Sequence, residues 1–311
     1  MNALRESLEE YLTFRRKLGF KLTYPAHALS AFVAFLETRQ ATYITQGLAL
    51  EWALDTRTEK AIQQRARRLQ IVRGFARYAV VTDPRTEIPP DGLLPGKCQR
   101  SAPYIYSQAQ LLRLIEDAAT LPPQDGLRPF SYSTVFGLLA VTGMRVGEVV
   151  ALDRGDVDLD GAVLTVRAGK FGKTRFIPVH ASTVARLHAY ARRRDRLCPR
   201  PATASFFLSG RGQPLTTCGV RWTFVRVSRR IGLRAATDSN GPRLHDLRHT
   251  FAVRTLINWY RAGLAVDAWI PKLSTYLGHV KVTDTYWYLS AVPELLCLAN
   301  ARLARFLEEQ P

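Results

Sequence analysis

The segment at residues 82–103, TDPRTEIPPDGLLPGKCQRSAP, constrains the fold more than any other stretch of this chain. It contains five prolines and two glycines and shows no hydrophobic periodicity, which is typical of a linker. Because proline interrupts both helices and central strands, regular structure is not expected to continue through it. The sequence therefore predicts an N-terminal domain at 1–82, a linker at 83–103 and a second domain at 104–311.

The N-terminal part shows helical spacing of apolar residues in four stretches, at 2–18, after Pro25, at 46–55 and at 57–80. The fourth stretch has a polar face that combines basic and amide side chains: Lys60, Gln63, Gln64, Arg67 and Arg68. Such a face is either simply solvated or laid in a major groove of DNA. In the second case the Lys and Arg side chains contact phosphates, and Gln63 or Gln64 lies near base edges.

The second domain starts with a helix capped by Ser107 and continues with a more apolar helix pair at 131–150. Two short alternating segments, 162–168 and 174–180, are joined by GKFGK and indicate a β-hairpin. A helix at 181–196 follows, and most of the remaining chain is also helical in pattern. The fold predicted for the whole chain is mainly α with a small antiparallel β-sheet.

Charge is the strongest compositional signal. The 311 residues include 44 Lys and Arg against 26 Asp and Glu, a formal net charge of +18. This balance favours a polyanionic partner, and nucleic acid ranks above a lipid surface because the basic residues are interleaved with apolar ones. The four cysteines form no CxxC pair, which indicates free thiols in a reducing compartment. Without an 18-residue apolar run or an apolar signal core, we expect a cytoplasmic protein with no membrane partner.

Three short motifs carry residues suited to chemistry on phosphate: TGMRVGEV at 142–149, LHDLRHTF at 244–251 and YLGHVKVTDTYWYL at 276–289. Arginine stays charged near neutral pH, so convergent arginines usually hold an oxyanion. Histidine donates hydrogen bonds or moves protons, and a tyrosine hydroxyl can form a covalent intermediate. In a strongly basic protein this combination indicates attack on a DNA phosphodiester.

These motifs, in this order, resemble those of the tyrosine recombinases, also called the phage-integrase family, whose pattern is Arg, Lys, His-x-x-Arg, His, Tyr. Arg145 matches the first arginine, His245 with Arg248 matches His-x-x-Arg, and His279 matches the next histidine. The resemblance is dense in the C-terminal half and holds only in outline before it. It implies an N-terminal helical domain that binds a DNA core site and a tyrosine-recombinase catalytic domain, joined by a linker that lets both close around DNA.

The family spacing of nine residues from the histidine to the tyrosine selects Tyr288, with Tyr286 as its competitor. The two tyrosines would point about 200° apart on a helix, so only one can face the phosphate. The family's catalytic lysine lies in a hairpin turn of the form G-K-G-x-K-x-R, which matches Lys170 in RAGKFGKTRFIPV. An inserted phenylalanine changes this turn, so Lys173 remains a competitor.

The resemblance implies site-specific strand cleavage and exchange through a covalent 3′-phosphotyrosyl intermediate. Tyr288 would attack the phosphate that Arg145 and Arg248 hold, His245 and His279 would hydrogen-bond it or move protons, and Lys170 would protonate the leaving oxygen. No cofactor or metal is needed, because the bond energy stays in the covalent link. The expected partners are double-stranded DNA and further copies of the chain, which would form a tetramer on DNA, with or without related recombinases.

Several alternatives remain open at this level. His245 and His249 have His-x-x-x-His spacing, and with His279 they could bind zinc, although Asp246 stands where zincins carry the catalytic glutamate. Similar active-site residues would serve a type IB topoisomerase-like nicking enzyme or persist in a catalytically inactive DNA-binding relative. The amino-acid sequence of residues 274–296 also resembles that of recombinases from transposons and insertion elements. The helix at 293–309 would dock either on its own domain or on a neighbouring copy.

Overall fold

The chain divides into two compact units, Met1–Ser101 and Ala102–Pro311. The computed structural model describes residues 3–55, 61–95, 102–167, 174–238, 241–290 and 292–308. Within these residues no helix is both long and apolar enough to cross a membrane.

The N-terminal unit is built from helices that enclose one apolar core. Phe32 and Phe75 lie at its centre with no exposed surface. Leu8, from another helix, and Leu36, from the same helix as Phe32, also contribute to it. Burying side chains of this size stabilises a fold by about 1.5–3 kcal/mol each. The helices are α1 (Ala3–Lys17), α2 (Thr23–Thr38), α3 (Gln46–Leu54) and α4 (Ala61–Ala79).

The first part of the proline-rich segment contacts this N-terminal unit. Arg73, which is 9% exposed, donates from its guanidinium to the backbone carbonyls of Pro89 and Pro90, at 2.6 Å each. The Glu87 backbone N–H donates to the Ile44 carbonyl at 2.8 Å. Residues 83–95 therefore run along the N-terminal unit, and the division of the chain into 1–82, 83–103 and 104–311 stays a prediction.

The C-terminal unit is mainly helical. Its first helix begins at a capping box, in which Ser107 and Gln110 satisfy each other's backbone N–H groups. The helices are α5 (Gln108–Ala118), α6 (Leu127–Thr142), α7 (Val146–Val150), α8 (Ala181–Leu197), α9 (Thr217–Arg230), α10 (Asp246–Arg261), α11 (Val266–Leu277), α12 (Thr283–Tyr286) and α13 (Pro293–Glu308). Short 3₁₀ turns lie at Arg154–Asp156 and Trp287–Ser290.

A small antiparallel sheet lies between α7 and α8. Its strands in the described residues are β1 (Val157–Asp158), β2 (Val163–Val166) and β3 (Arg175–Pro178), in the order β1-β2-β3. The β2–β3 register runs from Val163 opposite Pro178 to Val166 opposite Arg175. The predicted mainly α fold with a small antiparallel sheet is confirmed.

The junction between α6 and α7 depends on Gly143. This residue ends α6 with φ of +60°, and a Cβ placed on it would lie 2.6 Å from Cδ1 of Phe251. Arg145 follows as the residue that caps the start of α7. The tight turn therefore fixes where the Arg145 side chain leaves the backbone, and it presses the turn against α10.

The C-terminal helix α13 packs on its own unit over its first turns. Leu295 is 1% exposed and joins the apolar cluster of α10 and α11, and Glu294 pairs with Arg261 at 2.7 Å. Leu303, further along, is 55% exposed. The beginning of α13 is thus a core helix of its own unit, and the side chain of Phe306 lies outside the described residues.

We predict that Gly143→Ala lowers the free energy of unfolding of the C-terminal unit by about 2 kcal/mol or more. Left-handed backbone costs an L-residue about 1–2 kcal/mol, and the contact with Phe251 adds to this. Thermal unfolding of the full chain, followed by tryptophan fluorescence, measures the change, since four of the five tryptophans lie after residue 102. Gly155→Ala is the matched control, because no atom lies within 4 Å of its added Cβ. Equal melting temperatures for the two variants would contradict the prediction.

Candidate active site

The centre of the site is the buried guanidinium of Arg248, on the first turn of α10. It donates to the Gly143 carbonyl at 2.9 Å and to the Leu277 carbonyl at 2.7 Å, and the residue is 2% exposed. These carbonyls lie at the C-terminal ends of α6 and α11, where helix carbonyls lack partners and carry partial negative charge. Arg248 therefore ties together the segments that carry Arg145 and His279.

Arg145 is held by a carboxylate and by the turn after α11. Glu148 accepts from the Arg145 backbone N–H at 2.9 Å and from its guanidinium at 2.8 Å. A second guanidinium nitrogen of Arg145 donates to the Gly278 carbonyl at 3.1 Å. Glu148 therefore orients the Arg145 side chain.

Arg175 is a member of this network that the sequence analysis did not identify. It lies at the start of β3 and donates to both Glu148 oxygens, at 3.1 and 2.8 Å, and to the Tyr276 carbonyl at 2.8 Å. Strand alternation offered a signal, because Arg175 shares the inward face with the buried Ile177. The apolar Phe176 between them is 68% exposed instead.

His245 and His249 lie one turn apart at the start of α10. Their rings meet edge to face with centroids 4.7 Å apart. Nδ1 of His249 is 3.1 Å from the hydroxyl of Tyr288. No local sequence pattern indicates this contact, because the two residues are 39 positions apart along the chain.

His279 follows Gly278, which ends α11 in the left-handed conformation with φ of +69°. Its Nδ1 lies 2.7 Å from the hydroxyl of Thr285, which is fully buried. Its ring stacks toward Tyr288 with centroids 6.3 Å apart. Thr285 was also not identified from sequence, and it fixes the orientation of the His279 ring from the next helix.

The two candidate tyrosines are placed differently. Tyr288 is 2% exposed within the 3₁₀ turn Trp287–Ser290, beside His249 and His279. Tyr286, on α12, is 43% exposed. Arg145, His245, Arg248, His279 and Tyr288 are thereby brought together in one place.

Two histidines of the site are neutral at neutral pH. His245 keeps a solvent-exposed edge. Partial loss of hydration, and secondly the charge interaction with the nearby His249, lower its pKa to about 4. Burial and then the positive charge of Arg248 lower the pKa of His279 to about 4. Burial, reinforced by Arg145, lowers the pKa of Arg248 to about 10, so the guanidinium remains charged. The arrangement offers two fixed cations and neutral imidazoles to an incoming anion.

Some of the lysines and DNA-contact residues predicted from sequence lie outside the described residues. Lys170 and Lys173 fall in 168–173, and Lys60 in 56–60, all outside the described residues, as is the side chain of Gln63. On α4, Gln64 and Arg67 are exposed, and Arg67 lies over the ring of Tyr24 at 4.3 Å.

Arg68 is the most constrained of the predicted DNA contacts. Its guanidinium lies 3.8 Å from the ring centroid of Trp52 and donates to the Asp55 carbonyl at 3.1 Å. The side chain therefore has partners within its own unit. As to the zinc alternative, the described histidines, cysteines and carboxylates form no group of three or more that could hold a metal ion.

Much of the chain is similar to known proteins. Residues 106–294 match the Phage integrase family. The chain is 47% identical, over the full length of both proteins, to the putative integrase/recombinase y4rB of Sinorhizobium fredii (strain NBRC 101917 / NGR234). It is 32% identical to the tyrosine recombinase XerD of Mycobacterium tuberculosis (strain ATCC 25618 / H37Rv), covering 72% of this chain and 68% of XerD.

The fold is shared with solved recombinases. The Tn1549 transposon integrase in complex with transposon right end DNA superposes with a TM-score of 0.68 at 17% identity, covering 96% of this chain and 98% of the integrase. A lambda integrase tetramer bound to a Holliday junction gives 0.63 at 18% identity, covering 92% and 76%. Fold, clustered residues and relatives define an enzyme that cleaves and rejoins DNA strands. The chain belongs to the phage integrase family, the tyrosine recombinases.

We predict that Glu148→Gln lowers the free energy of unfolding at neutral pH by about 2–3 kcal/mol, because Arg145 and Arg175 lose their shared countercharge. Burial by itself raises the pKa of Glu148, but hydrogen bonds from Arg175 and the Arg145 backbone outweigh it and hold the pKa below its ordinary value of 4.5. A lowered folded-state pKa means that this stabilisation is present above pH 4.5 and is lost as the pH falls below it.

Thermal unfolding of the two proteins between pH 3 and pH 7 tests this expectation. The difference between them should be largest near neutral pH and should shrink as the pH falls below 4.5 toward the lowered pKa of the folded-state carboxylate. Glu116→Gln, at an exposed carboxylate on α5, is the control and should change stability by less than about 0.5 kcal/mol throughout. A difference that does not vary with pH would contradict the charge-based explanation.

Proposed function

We propose that this recombinase acts at specific DNA sites and breaks a strand by attack of Tyr288 on the scissile phosphate. The product is a covalent 3′-phosphotyrosyl link and a free 5′-hydroxyl. The observation that carries the proposal is the convergence of Tyr288, His249, His279, Arg145 and Arg248 on one site. The same link is then attacked by the 5′-hydroxyl of a partner strand, which restores the tyrosine.

Arg145 and Arg248 bind the non-bridging phosphate oxygens in this proposal. A guanidinium has five N–H donors, so each arginine retains donors beyond those spent on Glu148 and on backbone carbonyls. Their fixed positions matter most in the pentacoordinate transition state, where an additional negative charge develops. His245 and His279 are neutral, so they act there as hydrogen-bond donors and add no further charge. The negative charge of the arriving phosphodiester raises the pKa of both rings and strengthens these bonds.

Lys170 is proposed as the general acid that protonates the leaving 5′ oxygen. Val166 and Arg175 pair on two adjacent antiparallel strands, and Lys170 falls between them in the sequence. Arg175 at the foot of this hairpin is bonded to Glu148, which also holds Arg145. The hairpin is thereby anchored to the phosphate-binding residues, and Lys173 is the competing candidate three positions along.

DNA binding by the N-terminal unit is proposed for the exposed face of α4. Gln64 and Arg67 are accessible on this face, and Lys60, Gln63 and Arg68 remain predictions from sequence. The name of one solved relative, bound to transposon right end DNA, supports a duplex DNA partner and a role in a mobile element. We also propose that the protein acts in the cytoplasm, where bacterial chromosomal DNA is found.

The proposed working assembly is a homo-tetramer on two DNA sites, with or without related recombinases. Its support is the lambda integrase relative, a tetramer bound to a Holliday junction. The exposed Leu303 lies on the part of α13 beyond the turns packed on α10, and it is available for a neighbouring copy. The integrase and recombinase relatives favour this function over a topoisomerase-like nicking enzyme or an inactive DNA-binding protein.

We predict that Tyr288→Phe abolishes covalent capture of DNA and leaves DNA binding intact, because only the attacking hydroxyl is removed. A suicide substrate, nicked beside the cleavage site, traps the wild-type protein as a slowly migrating band on a denaturing gel. Tyr286→Phe is the matched control and should form the adduct at the wild-type level. If Tyr286→Phe loses the adduct while Tyr288→Phe keeps it, the nucleophile has been assigned to the wrong tyrosine.

We predict that Lys170→Ala slows cleavage by about 10²- to 10⁴-fold, the usual contribution of a general acid. A substrate with a 5′-phosphorothiolate at the cleavage site should restore the rate, because a sulfur leaving group departs without a proton. Lys173→Ala serves as the comparison and should show neither the large defect nor the rescue. Rescue confined to Lys173→Ala would move the acid role to that residue.

A further inference from the structure

The hydroxyl of Tyr288 is in contact with a histidine that the mechanism above does not use. Nδ1 of His249 lies 3.1 Å from this hydroxyl, with ring centroids 5.5 Å apart. Tyr288 is 2% exposed, and the His249 side chain is 13% exposed. A phenol with an ordinary pKa near 10 is protonated at neutral pH and is then a weak nucleophile. The chemistry needs a base within hydrogen-bond reach of this hydroxyl.

The surroundings of His249 determine which of its ring nitrogens carries hydrogen. Its Nε2 lies 3.9 Å from Oδ1 of Asp246, a carboxylate that is 2% exposed. That distance is too long for a hydrogen bond, but the negative charge favours a proton on Nε2 over Nδ1. The backbone N–H of Arg243 donates to the Asp246 carboxylate at 2.7 Å, and the guanidinium of Arg243 donates to it at 3.0 Å. With hydrogen on Nε2, Nδ1 accepts the hydrogen bond and Tyr288 donates it.

The neighbouring histidines are less suited to take a proton. The pKa of His245 and that of His279 are both lowered to about 4 by loss of hydration and by nearby positive groups. In addition, Nδ1 of His279 is engaged with the Thr285 hydroxyl at 2.7 Å. Within the described residues, His245, Asp246, Trp287 and Tyr288 are among the groups that face His249, and the Asp246 carboxylate is able to stabilise a charged imidazolium.

We propose that His249 is the general base that removes the proton from Tyr288 during strand cleavage. As the bond from the tyrosine oxygen to phosphorus forms, the phenol proton passes to Nδ1 of His249. The bond from phosphorus to the 5′ oxygen breaks, and that oxygen takes a proton from the general acid. In rejoining, a 5′-hydroxyl attacks phosphorus and gives its proton to the deprotonated acid, while the imidazolium returns its proton to the departing tyrosine oxygen. The proposal rests on Tyr288 being the nucleophile.

The test compares two substitutions in the full chain by single-turnover cleavage of a nicked suicide substrate. His249→Asn retains an amide oxygen that can accept the hydrogen bond from Tyr288 but cannot take its proton, whereas His249→Ala removes both functions. A base role predicts that both variants cleave about 10²- to 10⁴-fold more slowly than the wild type. A wild-type rate in His249→Asn would show that the histidine only positions the tyrosine, and a faster rate in His249→Ala would show that it restrains the tyrosine. Either result overturns the proposal.

Replacement of Tyr288 by a fluorinated tyrosine that is ionised at the assay pH supplies an independent test. Such a phenol has already lost its proton, so the ratio of wild-type to His249→Asn cleavage rates should fall close to one. The same fluorinated residue in the wild-type background corrects for its lower intrinsic nucleophilicity. An unchanged ratio contradicts a base role for His249.

Folding and the identity of the nucleophile are controlled separately. Gel-shift binding to the intact site and circular dichroism establish that the variants are folded. If neither variant folds, the pH dependence of the wild-type protein provides the test. Its cleavage rate should rise with pH, and this rise should be flatter when Tyr288 is replaced by the fluorinated tyrosine. An equal rise in the two proteins contradicts the proposal. An adduct formed by Tyr288→Phe refutes the proposed function itself, whereas a normal His249→Asn with an inactive Tyr288→Phe refutes the base role alone.

Discussion

The architecture of the site depends on one buried guanidinium. Arg248 bonds the carbonyls at the C-terminal ends of α6 and α11, and these ends are where Gly143 and Gly278 turn the chain toward Arg145 and His279. A cation at the end of a helix is stabilised by the helix dipole, by up to about 2 kcal/mol in partly buried positions. The residue that would bind phosphate therefore also assembles the segments around it.

The charged and neutral groups of the site have different roles. The guanidinium of Arg248 keeps its charge despite burial, while His245 and His279 lose theirs. A second layer, made of Glu148 and Arg175, balances Arg145 and connects it to β3. Because the Glu148 carboxylate offsets part of their positive charge, Arg145 and Arg175 can lie close together before DNA arrives. The site is thus arranged in advance for an anion, which limits the reorganisation needed during reaction.

The sequence was sufficient for the general plan of the fold. Helical spacing, Ser107 as a cap and the alternation on both sides of GKFGK predicted the helices and the hairpin, because these patterns depend on neighbours a few residues apart. Motif order likewise predicted the family, and it named five residues that the structure brings together. The nine-residue spacing selected Tyr288, which is buried in the site, over the exposed Tyr286.

What the sequence by itself determined was therefore the periodic elements and the residue types of the site. Tertiary structure alone decided their partners: Arg175 with Glu148, Thr285 with His279, and His249 with Tyr288. The apolar Phe176 shows the difference, because it is 68% exposed while the strand turns Arg175 inward toward a buried carboxylate. Such pairs join segments that are distant along the chain, so no local pattern records them, and only the packing of α10 against the turns that end α6 and α11 brings them within bonding distance.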